Sequence, residues 1–199
     1  LNEGVEVIGI DAMIDPKRKA WQEEMLFSFG RNAQFHFMKE DVTDVPFSNI
    51  IEGADCVFHL ANSGCCGIDA SLEATKTVIE ACKPEKTPIV YASTIEVFGN
   101  DSGPISEASP TNPKSPLGCL KAADEKLLMD ASKQEHLPLV IVRLPTVYGP
   151  WQHEERLFHR LLLSQLKGKK YDDVEWIEGA EKHWVYVVDV VQALWKAAT

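Results

Sequence analysis

Five apolar runs in this chain each end on residues that can hold a ligand. Asp11 follows residues 5–10, Asp41 follows residues 35–38, and His59-Leu60-Ala61 closes a run that starts at residue 56. Ser93 and Thr94 end the run from residue 89, and Arg143-Leu144-Pro145 ends the run from residue 139. A carboxylate at the end of a strand can accept both hydroxyls of a ribose and repels a phosphate beside it. Each residue also has a local reading. Asp11 suits a turn or helix cap, Asp41 a strand-ending turn, and Thr94 a strand end that satisfies a free backbone amide.

The elements that would carry these residues alternate between strand and helix, with no internal repeat. The apolar runs just described read as strands. Between them, residues 20–29 are amphipathic, with Trp21, Met25 and Phe29 four apart. Residues 68–83 read as a helix stopped by Pro84, and residues 116–136 as a long helix. Continuous apolar strands alternating with helices predict an α/β fold, a Rossmann-like doubly wound parallel sheet covered on both faces. Ligands of such sheets lie beyond the carboxyl ends of the strands, where the five groups fall. The Pro/Gly/Ser-rich stretch 99–116 is long enough to be a functional loop. After Pro150 the spacing predicts a helix over about 154–167, a short strand at 174–177 and a last helix from Asp189. Residues 1–150 therefore read as the parallel-sheet domain and 151–199 as the start of a smaller region.

A chain of 199 residues can bury a sizeable core, and 45% hydrophobic with 25% charged residues is ordinary globular composition. A formal charge of −10 argues against general affinity for nucleic acid or anionic lipid. No apolar run approaches the roughly 18 residues of a membrane span, and the opening residues lack a signal-peptide pattern. Cys56, Cys65, Cys66, Cys82 and Cys119 form no metal-ligand spacing, so no metal is expected. Reduced, structural thiols in a cytoplasmic setting are the expectation.

Three blocks occur in order: Tyr91-Ala92-Ser93-Thr94-Ile95-Glu96-Val97-Phe98-Gly99, then Ser115-Pro116-Leu117-Gly118-Cys119-Leu120-Lys121, then Arg143-Leu144-Pro145-Thr146-Val147-Tyr148-Gly149-Pro150. Together they resemble the extended short-chain dehydrogenase/reductase family, the NAD-dependent nucleotide-sugar epimerases and dehydratases. Residues 182–190 resemble a further block of that family. Gly9-Ile10-Asp11 with Asp15-Pro16 and Lys19, the Phe-x-Phe run before Asp41, and Thr146 through Trp151 lean towards the UDP-glucuronate 4-epimerases. The family's opening strand and glycine-rich turn have no counterpart here, which reads as a fold lacking its first βα unit.

The resemblance implies roles. Asp11 would hold the adenosine ribose of NAD, with Asp41 and Val42 beside the adenine. Leu60, Ala61 and Pro145 would line the cofactor. Lys121 would bind the nicotinamide ribose, and Thr94 the sugar hydroxyl being oxidised. Glu96 stands where related dehydratases and decarboxylases place a catalytic glutamate. The partners implied are a nucleotide sugar and a second copy of the chain, paired through the helices at 68–83 and 116–136.

The chain departs from the family in two regions. Where its heptapeptide carries the acid/base tyrosine, this chain has Leu117. A tyrosine works there because a lysine and the nicotinamide charge draw its pKa from about 10 towards neutrality, and leucine has no proton to exchange. The family's Asn and Gly in the preceding helix align with Ser71 and Ala74. The expectation is a relative impaired in turnover, with a non-catalytic binding or structural subunit as the alternative. His59 is expected to be a buried strand histidine.

Overall fold

In the computed structural model, residues 4–14, 19–61, 67–99, 103–152, 156–168 and 183–199 are described. Strand β1 (Val7–Ile10) pairs in parallel with β2 (Phe35–Met38), Val7 lying opposite Phe35 and Ile10 opposite Met38. Three further parallel strands form the order β3-β4-β5, with β3 at Val57–His59, β4 at Ile89–Thr94 and β5 at Leu139–Leu144. Helices α1 (Lys19–Phe29), α3 (Gly67–Cys82) and α4 (Pro116–Glu135) connect strands within these sheets, and α2 is a single turn at Phe47–Ile50.

The central strand explains the layering. Ile89, Val90 and Tyr91 are at most 1% exposed, because alternate residues of β4 face two different helical layers. On one side Ile89 and Tyr91 join Val78, Ile79 and Cys82 of α3 and Leu128 of α4, and Ile10, Val42 and Val57 pack at the margin. On the other side Val90 meets Val190 and Leu194 of α6 (Val187–Ala198), with Phe58 and Val142 around them. Burying each such side chain contributes roughly 1.5–3 kcal/mol. The parallel α/β architecture expected from the pattern is the one found.

The details differ at short elements. The third strand spans three residues, and the helix expected from residue 154 is α5 at Leu157–Leu166. The expected strand at 174–177, and Cys65-Cys66, lie outside the described residues. The last helix starts at Val187, two residues before Asp189. A third parallel pair, β6 (Thr146–Tyr148) with β7 (Trp184–Tyr186), has no counterpart among the expected elements, since three residues cannot display a period. Gly149 follows β6 at φ +145°, and a Cβ there would come 2.6 Å from Val187 Cγ1. Only glycine lets this turn press against the start of α6.

Candidate functional site

The carboxyl ends of the strands carry the residues singled out above. Asp11 follows β1, exposed, with Oδ1 accepting the Met13 N–H at 2.7 Å. Asp41 follows β2 and accepts both the backbone N–H of Thr43 at 2.9 Å and its hydroxyl at 2.8 Å. These two bonds hold its carboxyl below the usual value. Val42 beside it packs against the core margin. Leu60 and Ala61 follow β3 and are exposed, and Pro145 follows β5 half-buried. Asp11 and Asp41 thus do occupy turns, as their local readings allowed, and the cofactor reading is compatible with that geometry.

Thr94 ends β4 and caps the single 3-10 turn Ile95–Phe98, its hydroxyl accepting the Glu96 N–H at 3.3 Å. A threonine hydroxyl has one donor and two lone pairs, so the cap leaves its O–H able to donate. Glu96 is exposed and accepts a hydrogen bond from the Ser115 hydroxyl. Ser115 in turn caps α4, accepting the Gly118 N–H at 3.0 Å, and Pro116 follows at the first helical position, where its missing N–H costs nothing. Gly118 is required here, because a Cβ would fall 2.6 Å from the Glu96 carbonyl oxygen. The start of α4 is therefore locked to the segment that bears Thr94 and Glu96.

Leu117 lies half-buried in the first turn of α4, and Lys121 lies one turn on. Lys121 is not a solvated helix lysine. It is 6% exposed, its Nζ donates to the Ala92 carbonyl at 2.9 Å, and it sits 4.6 Å from the centroid of the Tyr91 ring. Burial lowers its pKa, while Asp124 and then Glu125 oppose that effect.

Beneath this frame is a buried polar layer that sequence reasoning missed. Asp124 accepts hydrogen bonds from Ser71 at 2.8 Å, Thr75 at 2.9 Å and the Tyr91 hydroxyl at 2.9 Å. Glu125 takes Arg143 in a two-bond fork at 2.7 and 3.0 Å, and accepts from Ser93. Arg143 also lies 4.7 Å from the centre of the Phe98 ring. His59, 3% exposed, bonds Thr75 at 2.9 Å and is the buried strand histidine expected. A signal for Asp124 was present. Leu120, Asp124 and Leu128 are four residues apart, which places the carboxylate on the apolar face of α4.

Two further phenols near the strand ends, those of Tyr91 and Tyr148, differ in their surroundings. Tyr91 is fully buried and its hydroxyl already donates to Asp124, so burial and that carboxylate push its pKa far above the ordinary range. Tyr148 stacks at an angle on Tyr186, 5.5 Å between ring centres, and lines a hollow of about 340 Å³ with Pro150, Gln152, His159 and Leu162. Among the described residues no group of acidic, histidine or cysteine side chains is arranged to hold a metal ion, and no helix is long and apolar enough to cross a membrane.

Comparison with known proteins identifies the family. Residues 1–199 match the model described as "NAD dependent epimerase/dehydratase family". An uncharacterized UDP-glucose epimerase of Bacillus subtilis is 33% identical over 176 residues, covering 82% of this chain and 55% of that protein. A dTDP-glucose 4,6-dehydratase of Haemophilus influenzae is 29% identical, covering 94% of this chain and 62% of that one. Among solved structures, the UDP-glucuronic acid 4-epimerase from Bacillus cereus in complex with UDP-glucuronic acid and NAD superposes with a TM-score of 0.87 at 29% identity, over 98% of this chain and 66% of its own. The chain thus spans between half and two thirds of the length of these relatives.

Proposed function

The chain belongs to the NAD dependent epimerase/dehydratase family, and from that premise we propose that it binds NAD and a UDP-hexose or UDP-uronate along the strand ends, in a site impaired for turnover. The observation that carries this reading is the frame at the start of α4. Lys121 of α4 bonds the Ala92 carbonyl of β4, the strand that ends on Thr94, and the residue one turn before Lys121 is Leu117. An isobutyl group can neither take nor return a hydroxyl proton.

The residues present fit the cofactor. Asp11 is an exposed strand-end carboxylate suited to the two adenosine ribose hydroxyls, and its charge disfavours a 2′-phosphate. Asp41 and Val42 would border the adenine, Leu60, Ala61 and Pro145 would line the path, and Lys121 would bond the nicotinamide ribose. Thr94 would orient the sugar hydroxyl. Glu96 would serve as a second polar group over the sugar once it parts from Ser115. NAD, when bound, supplies the acceptor for a hydride from the sugar carbon. The hollow beside Tyr148 and Tyr186 belongs to residues 151–199 and their neighbours, the region we assign to the start of the substrate-binding part, with 1–150 as the cofactor part. Pairing of two copies through α3 and α4 is part of the same proposal, checked by light scattering.

A second reading, a non-catalytic binding or structural subunit, is favoured by the same leucine and by the Ser115 hydroxyl already bonded to Glu96. Calorimetry with NAD on the chain and on Asp11→Ala and Lys121→Ala, followed by UDP-sugar turnover by Leu117→Tyr, separates the two. Binding lost in both alanine variants, with turnover gained only in the tyrosine variant, supports the impaired-enzyme reading. Binding of NAD without any gain of turnover favours the subunit, and no binding by any form overturns the cofactor assignment.

A further inference from the structure

The buried charges beneath the site do not balance as direct pairs. Lys121, Asp124 and Glu125 are 6%, 0% and 1% exposed, and Arg143 is mostly covered. A charge taken out of water needs a compensating partner. Arg143 and Glu125 satisfy each other through their two-bond fork. Lys121 and Asp124 are left, and between them stands Tyr91. Its hydroxyl donates to Asp124 at 2.9 Å, and its ring receives the Lys121 ammonium at 4.6 Å from the centroid.

We infer that Asp124 is a positioning residue that acts through the Tyr91 ring as the buried counter-charge of Lys121, keeping that lysine cationic and aimed at the end of β4. The geometry supports each link. Three hydroxyls, from Ser71 and Thr75 of α3 and Tyr91 of β4, fix the carboxylate, so it cannot turn to solvent. A phenol that donates to a carboxylate has a more electron-rich ring, which strengthens its hold on a cation at its face. The Ala92 carbonyl then sets the direction of Nζ.

Among the described residues, the groups that face Lys121 are few. Asp124 and Glu125 come from its own helix, the latter already engaged by Arg143 of β5. Tyr91 and the Ala92 carbonyl come from β4, and His59 from β3. Burial drives Lys121 towards its neutral form, and Asp124 is the larger of the two opposing influences. The functional weight of this inference rests on the reading of Lys121 as the ribose-binding cation, but its physical content does not.

The test is a titration of Lys121 in the unliganded chain. With lysines labelled at Cε and Nζ, and Lys121 assigned by its loss in Lys121→Met, NMR follows its deprotonation in wild type and in Asp124→Asn. The midpoint is expected to fall by about one pH unit or more in the variant, the effect of removing a buried opposite charge and the electron-rich phenol ring it sustains. An unchanged midpoint overturns the inference. Thermal unfolding of Lys121→Met, Asp124→Asn and the double variant gives an independent answer if the single variant folds poorly. A double variant that loses less than the sum of the singles supports the pairing, and strict additivity overturns it. Calorimetry with NAD on the same proteins separates the two proposals. Wild type that fails to bind sinks the cofactor reading, while the titration still decides the role of Asp124.

Discussion

Mild acid should destabilise this chain through His59. The histidine is 3% exposed on β3, and its pKa is lowered to about 4, first by burial and then by the Lys121 charge, with Asp124 opposing. In the unfolded chain the same imidazole titrates near 6.5. Between those values the unfolded state binds the proton that the folded state refuses. Stability is therefore complete above the unfolded value and declines as pH falls through the window, levelling off below about 4. A full proton of difference changes stability by about 1.4 kcal/mol for each pH unit crossed. Integrated between pH 7 and pH 5, with uptake only partial near 6.5, the predicted loss is about 2 kcal/mol. Asp41, whose pKa is lowered from 3.8, acts only below this window. The assay is urea unfolding at pH 7, 6 and 5 for wild type and His59→Gln, whose amide can still bond Thr75 but cannot titrate. The variant should show a flatter dependence on pH, by about that amount. Equal slopes, or a His59 midpoint near 6.5 by NMR, would refute the reasoning.

Three further outcomes follow from the packing. Replacing Arg143 with Met should cost about 3 kcal/mol in urea unfolding, because it strands the buried Glu125 carboxylate, and Glu125→Gln in the same background should recover part of it. Gly118→Ala should cost about 1–3 kcal/mol, since its methyl meets the Glu96 carbonyl at 2.6 Å and neither backbone can yield without moving the start of α4; melting temperature measures this. Under native conditions iodoacetamide should label exposed Cys119 and spare Cys82, which is fully buried with its thiol pushed up to about 12, as peptide mass spectrometry would show.

Much of this molecule can be read along the chain because its determinants are local. Apolar runs at 35–38, 89–93 and 139–143, interleaved with helical spacing, allow few arrangements other than a parallel sheet covered on both faces, and the strand ends then collect Asp11, Asp41 and Thr94. The motif blocks placed Leu117 one helical turn before Lys121, a relation that depends only on spacing within α4. What lies between elements was not legible. Parallel pairing of β6 with β7 joins residues nearly forty positions apart through two three-residue strands. Similarly, the burial of Lys121 depends on the Tyr91 ring and the Ala92 carbonyl, which reach it from β4 across about thirty positions. Asp124 is a polar residue among leucines along the sequence. Only packing of α3 and β4 around it supplies the three hydroxyls that make a carboxylate tolerable there, because buried charge is compensated by groups close in space, whatever their separation along the chain.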